Sequence, residues 1–216
     1  MKTVFGEAER ERIAAAVRES ETATSGEIVP YVVAQSDDYP EAGLRGGAAL
    51  GCLAAALVFL LRWPGGSLTL PPFVDPGLAL LAGMAAGWLA NAAFPPVRRF
   101  FAGAPAMERR TAQRAAEAFL AEEVFSTRGR TGVLLFVSAF ERRVVVLGDT
   151  GINAKVRKGE WEEVVQAVTS GLKSGRAAEG LIGGIRLAAA LLQRCGVRRS
   201  DTDTNELGDG LRSGIT

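Results

Sequence analysis

The chain of 216 residues contains no histidine. That removes the usual general base near neutral pH, the Ser-His-Asp arrangement and every imidazole metal ligand. Cysteine is almost as scarce. Cys52 and Cys195 lie far apart, with no C-x-x-C spacing, so neither a thiolate zinc site nor a disulfide framework is expected, and a reducing compartment suits them. Charge of either sign is not in excess: 25 basic residues face 24 acidic ones, and no basic stripe interleaves with aromatics, which excludes a nucleic-acid partner. Met1 to Phe5 shows no basic segment followed at once by an apolar one, so no secretory signal is expected. What chemistry remains rests on carboxylates, hydroxyls, backbone amides and a hard, oxygen-liking cation.

What is present centres on Thr131 to Ile152, TGVLLFVSAFERRVVVLGDTGI. Two short β-branched and aromatic runs, Val133 to Val137 and Val144 to Leu147, flank a polar turn and read as an antiparallel hairpin. Neither run alternates apolar with polar, so helices are expected over both faces. Glu27 to Ala34, EIVPYVVA, reads as a further strand, at an edge or bulged, because Pro30 cannot donate to a ladder. Helices are expected at Glu7 to Thr22, Met107 to Phe125, Glu160 to Ser174 and Ala177 to Arg194, each with an apolar stripe at helical spacing.

Composition changes sharply after Asp37-Asp38-Tyr39-Pro40. Between Arg45 and Arg62 lie 16 uncharged residues, and between Asp75 and Arg98 lie 22. A bilayer crossing takes about 20 apolar residues, so the second segment suffices alone. The first is completed by Leu44 and Trp63, with Arg45 and Arg62 snorkelling. The expectation is a transmembrane helical hairpin turning at Trp63-Pro64-Gly65-Gly66. Glycines recur at spacing four, Gly43, Gly47 and Gly51 against Gly83 and Gly87, which lets the helices pack on each other or on another copy as a homo-oligomer. The linker from Pro64 to Asp75 has no Lys or Arg, whereas Arg98, Arg99, Arg109, Arg110 and Arg114 follow the second segment. The positive-inside rule then predicts a multi-pass protein of the inner (cell) membrane with both termini and the soluble domain cytoplasmic.

TSGEIVPYVV, followed by STRGRTGVLLFVSAFERRVVVLGDTGI, resembles the TPM domain family. That family includes thylakoid-lumen proteins of photosystem II repair, a worm receptor-associated membrane protein and many bacterial membrane proteins. Ser25-Gly26-Glu27-Ile28 matches the start of the family's first strand, Thr131-Gly132-Val133-Leu134-Leu135 that of its second, and Glu141-Arg142-Arg143-Val144 its turn. The resemblance covers residues 3 to 40 and 106 to 195 and implies an α/β fold, a three-layer α/β/α sandwich, here with an inserted two-helix transmembrane hairpin. The expected divisions are 1–42 and 98–197 for the two parts of the domain, 43–97 for the hairpin and 198–216 for a disordered polar tail. The resemblance also implies calcium binding or acid phosphatase activity. The family's Gly-Tyr-Gly-Leu stands here as Gly148-Asp149-Thr150-Gly151-Ile152, and its Thr-Asp pair is replaced by Arg157-Lys158, which departs from that cation site.

The candidate metal ligands are Asp37 and Asp38, after the first strand, and Asp149, after the third. If those strands run parallel the three share one rim and suit Ca²⁺ or Mg²⁺; the competing reading is ordinary turn and cap residues. No other cofactor is expected. Glu27 and Glu141 read as solvated surface. Asp201-Thr202-Asp203-Thr204-Asn205 starts like a calcium loop, but Glu206 stands where the turn needs glycine. The leading functional expectation is a non-enzymatic, membrane-anchored interaction module that binds membrane lipid and another membrane protein. The alternatives are a divalent-cation-dependent phosphatase and a lipid or cation sensor using Arg98 and Arg99.

Overall fold

Glu27–Val33 forms strand β1, and every residue of it is buried. It pairs in parallel with β2, Gly132–Ser138, from Glu27 opposite Gly132 to Val33 opposite Ser138. β2 turns back antiparallel into β3, Arg143–Gly148, which is the hairpin expected from the sequence. The computed structural model describes residues 5–62, 71, 74–199 and 205–214. It divides into two compact units, Met1–Asp37 with Glu108–Thr216, and Asp38–Met107.

Alternation along the strands builds the layers of the first unit. Ile28 and Val32 of β1, with Val133, Leu135 and Val137 of β2, join one apolar cluster with Ile13 and Val17 of α1 (Glu7–Glu21), with Val164 and Val168, and with Leu181, Ile185 and Leu192. Those last residues belong to two later helices, Glu162–Lys173 and Ala177–Arg194. Val29, Tyr31, Val33, Leu134 and Phe136 point the other way and pack on Ala115 and Ala118. Both alanines lie on a single helix, Ala104–Ala121. The result is α/β, helices on both faces of one mixed sheet, as pattern and resemblance imply.

Two expectations change here. β1 is not an edge strand: the sheet order is β3-β2-β1-β4, where β4 is Arg212–Ser213. β4 pairs only with Tyr31 and Val32, so the ladder accommodates Pro30 by keeping its outer neighbour short. β3 is the free edge beside β2 and is only half-buried along its length, yet both its faces are covered as expected, Val144 and Val146 packing on the first cluster and Val145 and Leu147 on the second. The tail is not wholly disordered, because residues 205–214 are described and carry β4; Asp201 to Thr204 lie outside the described residues.

The second unit holds α2 (Pro40–Leu61), α3 (Pro76–Ala93) and α4 (Pro95–Ala102). The turn at Trp63 to Gly66 lies outside the described residues. α2 and α3 are long and apolar enough to cross a membrane, and only 17% of each apolar window is buried. Their glycine rows face inward. A Cβ on Gly83 would stand 2.7 Å from the Leu50 carbonyl, one on Gly51 2.8 Å from the Leu80 carbonyl, and one on Gly87 would overlap Gly46. The backbones of one hairpin therefore meet through these rows. The second apolar segment does not run helical to Val97 as one piece. Phe94, at φ −118° and ψ 102°, is extended because it precedes Pro95, and Pro95 and Pro96 start α4 afresh.

Candidate functional site

The sheet has two polar ends in the first unit, and they separate the carboxylates that the sequence grouped. β1 runs parallel to β2, and β2 antiparallel to β3, so β1 and β3 run in opposite directions. Asp37 follows the carboxyl end of β1. Asp149 follows β3 beside Gly132, donating its backbone N–H to the Gly132 carbonyl at 2.9 Å, at the end where β1 begins. Asp38 is exposed and belongs to the second unit.

Each candidate ligand in the first unit already has an occupation. Asp37 Oδ1 pairs with Arg110 at 2.7 Å. Asp149 accepts the Thr150 N–H at 2.6 Å and caps the short helix Thr150–Asn153, while its other oxygen lies 2.9 Å from Arg130 Nε. That second contact is one of charge without hydrogen-bond alignment. Among the described residues no group of three or more His, Cys, Asp or Glu is placed to hold a metal ion. The Ca²⁺ or Mg²⁺ rim of Asp37, Asp38 and Asp149 does not assemble, because the condition of parallel first and third strands is not met.

The carboxyl end of β1 and β2 instead carries a hydroxyl–carboxylate relay. Ser36 Oγ donates to Ser138 Oγ at 3.0 Å, Ser138 Oγ donates to Glu141 Oε2 in a short bond, and Glu141 Oε1 accepts the Ser36 N–H at 2.8 Å. Ser138 and Glu141 are buried, so Glu141 is not solvated surface as its sequence position implied. Arg143 pairs with Glu108 at 3.5 Å at the same end. Asp37 and Glu108 are the residues at which the chain leaves for the second unit and returns from it. This end is thus the root of the insertion, held by two ion pairs and a buried carboxylate. Ser138 is no nucleophile, since its hydroxyl is enclosed.

The opposite end holds a cavity of about 150 Å³ lined by Arg18, Glu21, Thr24, Glu27, Arg199, Asn205 and Asp209. Glu27 is buried, again against the surface expectation. Its two oxygens accept the backbone N–H groups of Glu206 and Leu207, each at 3.3 Å, and Glu21 Oε1 accepts the Ile28 N–H at 3.0 Å. Burial pushes the Glu21 carboxyl up to about 8; the negative charges of Glu27 and Asp209 add to this and the Ile28 amide opposes it. These acids dock the tail segment onto the sheet. Sequence reasoning missed them because the partners are 180 positions apart, as Leu207 and Glu27 are. The available signal was Glu27 itself, a charge opening an otherwise uncharged strand.

Residues 102–191 match the sequence model of the TPM domain. The chain carries a TPM domain. The matched stretch is the part after the insertion, and the parallel pairing of β1 with β2 shows that residues before the insertion complete its sheet. An NMR structure of the BA42 protein from the psychrophilic bacterium Bizionia argentinensis superposes with a TM-score of 0.60, covering 99% of this chain and 98% of that one at 18% identity. At that identity the likeness is one of fold. No curated protein matches the chain in sequence.

Proposed function

We propose that this TPM-domain chain is a membrane-anchored interaction module, non-enzymatic, serving the assembly or turnover of another membrane protein. The observation that carries this is the hairpin α2–α3, glycine-packed within and covered outside by exposed Leu53, Leu57, Leu60, Leu78, Leu81 and Leu89. Such a surface matches lipid tails and is costly in water. It interrupts the domain between β1 and the helix Ala104–Ala121, so the domain is attached at two points. Two attachments restrict its orientation, which suits presentation of a surface to a neighbour in the same membrane. The arginine pattern supports a cytoplasmic side for the domain and both termini, at the inner membrane.

The phosphatase reading is less favoured, since the carboxylates it needs lie at opposite ends of the sheet. Hydrolysis of a generic phosphomonoester by the detergent-purified chain, with Ca²⁺ or Mg²⁺, decides between them. The module reading expects no turnover above a blank preparation. Robust turnover abolished by Asp149→Ala would establish the hydrolase.

A further inference from the structure

Helix α4 has both ends tied to the foot of the hairpin. Its first residue follows α3 after the single extended residue Phe94. Its last turn is held by Arg45 of α2, which donates to the carbonyls of Phe101 at 3.0 Å and Ala102 at 3.3 Å. Arg45 immediately precedes Gly46, where the uncharged stretch of α2 begins, and Gly46 packs against Asn91 in the last turn of α3. The start and the end of α4 therefore lie at the same level, the one at which both apolar spans finish. A helix of eight residues, about 12 Å long, lies across that level and does not extend the span.

Its exposed positions are uncharged. Phe94 is 60% and Phe100 78% exposed, Pro95 and Pro96 are exposed, and the half-buried Arg98 and Arg99 flank them. This surface continues the exposed apolar side of α3 through Leu89, Ala92 and Ala93. Between hydrocarbon and water each leaflet has a polar zone roughly 5–8 Å deep, which accepts aromatic rings on one side and arginines on the other. An apolar face of this size exposed to water is unfavourable, while burial in hydrocarbon would strand the arginines.

We infer that α4 is an interfacial anchor, lying in the headgroup zone of the bilayer with Phe94 and Phe100 inserted toward the tails. Its occupant is the lipid surface itself, and the inference rests on the reading that α2 and α3 span. The test uses the full chain with Cys52→Ser and Cys195→Ser, reconstituted in phosphatidylcholine–phosphatidylglycerol vesicles. A spin label is placed singly at Ala85→Cys, Phe100→Cys or Glu163→Cys, and collision with oxygen and with a water-soluble nickel chelate is measured. Position 85 reports the span and position 163 the aqueous domain. The expected result is nickel exclusion at 85, with nickel collision at 100 about threefold or more below that at 163 and oxygen collision below that at 85. Nickel exclusion at 85 with 100 as accessible as 163 overturns the anchor and leaves the span standing. Oxygen collision at 100 equal to that at 85 also overturns it. So does spin–spin broadening at 100 that vanishes on dilution with unlabelled chain, because a second copy then covers the face. Nickel access at 85 removes the span, and the anchor with it.

Discussion

Glu141 sits in a turn just before two arginines, Arg142 and Arg143, yet its side chain is enclosed, with Ser138 and the Ser36 amide as partners. A carboxylate so placed satisfies donors that are otherwise orphaned in the interior. Glu141→Ala is expected to lower stability by about 2–3 kcal/mol, read as the urea midpoint in detergent, and Glu141→Gln by less, since an amide oxygen still accepts. Glu21 behaves in the opposite sense. Its carboxyl is raised to about 8 from an ordinary 4.5, so the folded chain holds a proton that the unfolded chain has lost. Stability is therefore expected to fall as pH rises from about 4.5 to about 8 and to level off above. Because the side chain is partly open to water, the change is on the order of 1–2 kcal/mol. Glu21→Gln should flatten that slope in urea unfolding at pH 5 and pH 8.5. Neither glutamate was legible in the sequence. Burial of a single charge depends on which distant segment closes over it, and local pattern carries no such information. Gly132 was legible as a motif but not as a contact: a Cβ there would overlap the Val124 carbonyl, which is why the second strand opens on glycine.

At the scale of elements, local apolar pattern performed best, as a helical stripe in one case and as unbroken strand runs in the other. The helix over Ala177–Arg194 and the β2–β3 hairpin stand where their apolar spacing placed them. Strand β1 was misjudged because Pro30 forbids one hydrogen bond, not a neighbour, and a two-residue β4 respects that limit. Reading Asp37, Asp38 and Asp149 as one rim failed for a related reason. Strand direction is set by the connections, and a tight hairpin necessarily reverses β3 against β2 and β1. The glycine rows of α2 and α3 do match their pattern, and they are consumed within the hairpin. Gly87→Val is expected to force the helices apart, since its Cβ would press into the Gly46 backbone. The loss is about 1–3 kcal/mol, measured as a lower thermal aggregation temperature in detergent, while Ala86→Val on the exposed side should change it little.

For the whole molecule, the chain is one α/β domain interrupted by a second unit, Asp38–Met107. The interruption was visible as a change in composition, although its end was not: the hairpin unit includes α4 and runs to Met107, ten residues beyond the expected boundary at 97. The match to the TPM domain covers residues 102–191, and the insertion separates β1 from that stretch in sequence. Geometry restores the connection, through the pairing of β1 with β2 and the ion pairs of Asp37 and Glu108 at the root. The central claim is that residues 40–93 fasten this domain to a bilayer. Alkaline carbonate extraction of membranes containing the full chain tests it most directly. The account predicts that the chain stays with the lipid pellet until detergent is added, and that replacing residues 43–97 by a short Gly-Ser linker releases it. A full chain that leaves the pellet in carbonate and runs as a monodisperse species in detergent-free buffer would contradict it.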